Sequence, residues 1–141
     1  STQNGAGMRV AAISDSTKDA LREVVPQFAS VGNPVDLTAA VTDDMYDKVL
    51  EVLKRGPGID VIMMSLELQP PGITEHLVDI AERHSKARGP PIVIGAFGGS
   101  RADVLLKSLE ERKLVAYPTL WRAVRAIRAL SQRGELLGKQ N

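Results

Sequence analysis

Few residues in this sequence combine a type and a spacing that could do chemistry. Its two histidines, His76 and His84, stand eight residues apart in one predicted helix. That separation is about two turns, or roughly 12 Å, too far for the pair to share a metal ion. Cysteine is absent, so thiolate ligands, thiol nucleophiles and disulfides are all excluded. The histidines are read as surface or core-edge residues with no role. Glu67 closes an apolar run, and a carboxylate at such an edge can serve as a general base; by itself it makes no catalytic set. The residues therefore assign no catalytic group and no metal site.

Two loops have the composition of an anion site. In "SDSTKD" (Ser14 to Asp19) hydroxyls precede a helix start, where backbone N–H groups can hold a phosphate. Asp15 sets a negative charge there and no glycine lets the backbone close in, so ordinary capping by Ser16 or Thr17 accounts for the loop. The run "AFGGSR" is better equipped. Gly98 and Gly99 permit close approach, Ser100 adds a hydroxyl and Arg101 a charge, which makes these four the candidate phosphate or ligand loop. A tight strand-to-helix connection would use the same glycines. Arg122, Arg125 and Arg128 recur at every third residue of "WRAVRAIR" and read as a solvated or partner-facing flank. Trp121, the single tryptophan, is expected to pack.

The elements that must position these residues alternate. "MRVAAIS" (Met8 to Ser14) reads as a strand, followed by a helix that stops near Pro26. Thr42, Asp43 and Asp44 open a helix to about Arg55, with Met45, Tyr46, Val49, Leu50 and Leu53 on one face and "GPG" at its end. "IDVIMMSLEL" (Ile59 to Leu68) is the near-continuous apolar run of a strand covered on both faces of a parallel sheet. A helix over about Thr74 to Arg88 turns Leu77, Ile80, Ala81 and His84 to one side. Ile92 to Phe97 is a second buried strand, and Ser100 caps a helix bearing Val104, Leu105 and Leu109. "LVAYP" is a last short strand. Thr119 caps the final helix, whose Leu120, Ala123, Val124, Ile127 and Leu130 line one face.

Such βα alternation folds as an α/β domain, a flavodoxin-like three-layer parallel sheet with helices on both faces. Four strands are visible where that architecture has five. Either the first β-α unit is missing or residues 1–7 hold a remnant of it. We expect a flexible segment over 1–7, one domain over 8–133 and a tail over 134–141. The 141 residues carry 18 Lys+Arg against 17 Asp+Glu, a net charge of +1. No excess field is left to hold a nucleic-acid backbone or an anionic membrane. The sequence shows no apolar span of bilayer length and no signal-peptide pattern, so a cytoplasmic protein is expected.

The stretch "SDSTKDALREVVPQFASVGNPVDLT" (Ser14 to Thr38) closely resembles the NDP-forming acyl-CoA synthetases, the acetate–CoA ligase (ADP-forming) type related to succinyl-CoA ligase. "MYDKVLEVLKRGPGIDVIMMSL", "PPIVIGAFGG" and "LEERKLVAYPTLWRAVRAIRALSQ" continue the resemblance in the same order, from about Gly7 to Arg133. The most specific piece is Asn33, Pro34, Val35 and Asp36, read as a structural motif. Pro34 makes Asn33 extended, the Asn33 and Asp36 side chains can bond nearby backbone, and Val35 and Leu37 point inward. "TQNGAGM" (Thr2 to Met8) resembles the "NGAG" turn of succinyl-CoA ligase β chains, but Gly7 onward aligns without gaps to the family's second strand.

The resemblance implies a C-terminal flavodoxin-like module of an enzyme that makes acyl-CoA from a carboxylic acid, CoA and ATP through acyl phosphate and phosphohistidine. Its implied partners are CoA-binding, phosphohistidine and ATP-grasp domains, with CoA, ATP or ADP and Mg serving the complete enzyme. Neither His76 nor His84 matches the family's catalytic "GH" context. The chain is accordingly expected to be structural, to bind no cofactor itself and to be inactive alone. The alternative is a free-standing domain that binds a nucleotide or CoA, and a homo-oligomer is compatible with either reading.

Overall fold

A computed structural model describes residues 9–38, 40–67, 72–97 and 99–138. Helix α1 (Asp15–Val24) and helix α2 (Asp43–Arg55) come first. Strand β1 (Ile62–Glu67), helix α3 (His76–Lys86), strand β2 (Ile92–Phe97), helix α4 (Ser100–Glu111), strand β3 (Ala116–Tyr117) and helix α5 (Leu120–Gly138) follow. The strands form one parallel sheet in the order β1-β2-β3. Ile62 pairs with Ile92 and Glu67 with Phe97 along the first ladder, and Ile94 with Ala116 on the second.

Alternation along the strands divides the interior in two. Ile62, Met64 and Leu66 of β1 join Ile92, Ile94 and Ala96 of β2 in the larger core, against Leu21, Leu50, Leu77 and Leu109 from the first four helices. On the opposite face Val93 packs against Ala123 and Ile127 of α5, with Val61 and Tyr117 at its margin. Helices thus lie on both faces of the sheet. Gly95 makes the second layer possible, because a Cβ there would stand 3.3 Å from the Leu120 side chain. A second close approach fixes the bottom of the sheet. Gly89, at φ +115, lies so close to the end of α2 that a Cβ would meet the Lys54 carbonyl oxygen at 2.5 Å.

Several expectations need correction. Residues 9–14 form no strand, although Ile13 is buried in the larger core; Met8 and residues 1–7 lie outside the described residues. The physical reason is the lack of a ladder. Among the described residues no strand is paired with this segment, and an extended chain without inter-strand bonds is not part of a sheet. β1 is likewise covered on one face only, since Met63 is 43% exposed and Ser65 is exposed. α5 reaches β2 and β3 but not far enough to shield it. The helix α5 also continues to Gly138, into the segment 134–141 expected as a tail.

Gly95→Val should push Leu120 and the start of α5 off the sheet. The expected loss is about 1–3 kcal/mol, measured as a lower midpoint in urea unfolding. An unchanged midpoint would show that α5 contributes nothing through this contact.

Candidate functional site

The Asn33 to Asp36 segment is the most heavily tied loop. Ser30 and Asp36 exchange both backbone hydrogen bonds, at 3.0 and 3.1 Å, in an isolated antiparallel bridge. The Asn33–Pro34 peptide is cis. Asn33 Nδ2 donates to the Ala11 carbonyl at 2.9 Å, and Asp36 Oδ1 accepts from the Thr38 amide at 2.9 Å. Leu37 is buried and Val35 packs at the edge of the core. The loop therefore turns its apolar pair inward and its two polar side chains to backbone. Asn33 holds the unpaired segment 9–14, where a ladder would otherwise have done so. Tyr46 closes the arrangement from α2, donating its hydroxyl to the Ser65 carbonyl at 3.0 Å. Burial, with the Asp36 carboxylate as a lesser cause, pushes the Tyr46 phenol up to about 12.

The helix starts differ in how they are capped. The Ser14 hydroxyl, not that of Ser16 or Thr17, caps α1, accepting from the Thr17 amide at 3.2 Å. Thr119 caps α5 through the Arg122 amide at 3.1 Å. α4 has no capping side chain: Gly99 occupies the cap position at φ +79 and Ser100 is the first helical residue. Of the candidate ligand loop, Gly99, Ser100 and Arg101 gather at this helix start and are exposed, while Gly98 lies outside the described residues. Glu67 ends β1, with its side chain outside the described residues.

Charged side chains lace the helical layer. Asp47 on α2 receives Arg83 and His84 of α3, with His84 Nε2 at 2.6 Å. The Arg83 hydrogen bond lowers the Asp47 pKa against the opposing effect of partial burial, and His84 adds to the lowering. Arg112, one residue past α4, holds Asp79 and Glu82 of α3. Asp43 accepts from the Thr74 amide at 3.0 Å and from its hydroxyl. Lys54 is buried at the end of α2 with its ammonium on the Pro90 carbonyl at 2.8 Å, and burial lowers its pKa. His84 is thus buried beside a carboxylate, and His76 is exposed at 3.4 Å from Asp79. Among the described residues no three His, Cys, Asp or Glu side chains are placed to hold a metal ion.

No short-range pattern announced the Asp47 cluster, whose members are 36 and 37 positions apart. Trp121 was expected to pack and is instead 69% exposed. It lies two residues before buried Ala123, about 200° around the helix, so the helical period already turned it outward.

A model of the Ligase-CoA domain matches residues 1–132. The chain belongs to the Ligase-CoA domain family. This Ligase-CoA domain is 30% identical over 110 residues to the α subunit of acetate–CoA ligase (ADP-forming) I from Pyrococcus furiosus, covering 75% of this chain and 23% of that subunit. PH0766 from Pyrococcus horikoshii OT3 shares its fold at a TM-score of 0.84 and 21% identity, over 94% of this chain and 31% of the other. The dinucleotide-forming acetyl-coenzyme A synthetase 1 of Ca. Korarchaeum cryptofilum matches at a TM-score of 0.76 and 26% identity, over 90% of this chain and 28% of the synthetase. The synthetase has also been solved with phosphate and ADP. The Ligase-CoA domain spans less than a third of the length of these relatives. None of its described helices is long and apolar enough to cross a membrane.

Asn33→Ala removes the bond to Ala11 and should cost this domain about 1 kcal/mol, with the denaturant slope unchanged; a loss near zero would show that residues 9–14 are held by Ile13 alone. The Asp47 cluster predicts an acid limb. A carboxylate whose folded pKa lies below its unfolded value of about 3.9 stabilises the fold fully above roughly pH 5, and the stabilisation is lost as pH falls through the folded pKa. Asp47→Asn should flatten the fall in the urea midpoint below pH 5, and an unaltered pH profile would count against the pairing.

Proposed function

We propose that this chain is a docking and structural module of an acyl-CoA synthetase (ADP-forming), inactive when isolated. The carrying observation is the match over 90% of this chain to 28% of the acetyl-coenzyme A synthetase, with the α subunit of an acetate–CoA ligase as a sequence relative. In this reading the complete enzyme joins a carboxylic acid to CoA at the expense of ATP, through acyl phosphate and phosphohistidine. CoA-binding, phosphohistidine and ATP-grasp domains supply the chemistry, with Mg and the nucleotide bound outside this chain. The tied Asn33 to Asp36 loop and the laced helices supply a rigid body for those modules to rest on. The half-covered β1 gives them an unfilled face.

A second reading rests on the start of α4. Gly99, Ser100 and Arg101 stand at a helix N-terminus with no capping side chain, an environment suited to a phosphate group of a free nucleotide or CoA. A cytoplasmic setting is common to both readings.

The two separate cleanly. The purified chain should form no ADP from ATP, acetate and CoA, and its melting temperature should not move with CoA, ATP or acetyl phosphate. Substituted for the matching segment of the Pyrococcus furiosus subunit, it should sustain ADP-forming activity in the assembled enzyme. A ligand at 100 times its dissociation constant stabilises by about 2.7 kcal/mol, so a site would be seen; such a shift, or turnover by the chain alone, overturns the module reading.

A further inference from the structure

The outward face of α5 carries Trp121, Arg122, Arg125, Arg128 and Arg133, all exposed. At 100° per residue Trp121, Arg125 and Arg128 fall within an arc of about 60°, with Arg122 and Arg133 on one flank. The buried Ala123 and Ile127 lie roughly 200–240° from Trp121, so the ridge points directly away from the sheet. Elsewhere on the molecule four arginines are held by carboxylates: Arg22 by Asp19, Arg55 by Glu51, Arg83 by Asp47 and Arg112 by Asp79 and Glu82. None of the four on α5 makes an ion pair among the described residues. From Leu120 to Arg133 the helix contains no acidic residue and no lysine.

We propose that this tryptophan–arginine ridge is a docking surface for a carboxylate-rich protein surface. Three observations select that occupant. Trp and Arg are the residue types that concentrate binding energy at protein interfaces, whereas lysine is depleted there. An indole 69% exposed gains apolar burial when covered, and it shields the neighbouring guanidinium–carboxylate pairs from water. The unpaired arginines supply charge that only an acidic surface complements.

Other occupants fit less well. A second copy placed across a two-fold axis would set arginine against arginine. A membrane-surface helix needs its apolar stripe for lipid, and the stripe of α5 is spent on Val93. A nucleic-acid backbone would meet a chain of net charge +1, whose acidic groups offset the ridge. The identity of the partner as another module of the ligase rests on the function proposed above; the ridge itself does not.

The test uses the whole chain labelled with 5-fluorotryptophan. Trp121 is the only tryptophan, so one fluorine resonance reports the ridge. Titration with a soluble glutamate-rich peptide should shift that resonance at low salt, and the affinity should fall in about 0.5 M NaCl, where screening reaches a few ångströms. Arg125→Glu with Arg128→Glu should weaken binding at least about tenfold, while the charge-matched control Arg88→Glu with Lys107→Glu should not. Any of three results overturns the proposal: a resonance that does not move, equal weakening by the control pair, or tighter binding of oligouridylate than of the peptide. A shift with chain concentration alone would point to self-association and would also overturn it. These outcomes are independent of ligase activity. ADP formation by the isolated chain would remove the module reading and leave the titration intact, and a silent resonance in an inactive chain would remove the ridge alone.

Discussion

Everything in this fold hangs on β2 being buried on both faces. Ile92, Val93, Ile94 and Ala96 are each at most 4% exposed, and a strand can be that apolar only when helices cover both sides of it. The constraint dictates the two layers. Ile94 and Ala96 call for α3 and α4 on one face, and Val93 calls for α5 on the other. It also explains the glycine at position 95 of β2, since the side that faces α5 needs room for Leu120. β1 and β3 are then neighbours of a strand that is already satisfied.

The helical layer on the larger core is joined by hydrophobic packing and by charge. Apolar burial sets which faces meet, and the ion pairs from α2 to α3 and from α3 to α4 limit how those faces slide. Most of these pairs are exposed and individually small contributors. The Asp47 cluster differs because His84 is buried against it, so losing the carboxylate would leave a polar ring without a partner.

Much of the architecture could be read in the sequence because it follows from short-range rules. The period of α2 and α3, the Thr42 and Thr119 caps and the Gly56 stop all reappear as expected. His84 was placed with Leu77, Ile80 and Ala81 by period alone, and all four are buried. What could not be read was pairing. "MRVAAIS" has the composition of a strand, but a strand exists through its neighbour, and composition cannot supply one. The same gap hid the exposed half of β1. Trp121 is a different case: its bulk suggested burial while its phase stated the opposite, and phase prevailed. The candidate loop at Gly99 to Arg101 was legible as a helix start, whereas the Asp47 cluster joins residues too distant in sequence for any motif to flag.

β1 has one further consequence, for the behaviour of the chain in solution. Among the described residues no strand pairs with its outer edge, where the Tyr46 hydroxyl holds only the Ser65 carbonyl, and the stretch Ile62–Glu67 reads IMMSLE. Natural edge strands are usually blunted by lysine, proline or a bulge, and this one has neither lysine nor proline. A hydrogen-bonding row left open beside Met63 is a template for any extended chain that reaches it first. Concentration and order of synthesis, not folding stability, would then decide whether that chain is a fitting neighbour or an aggregate.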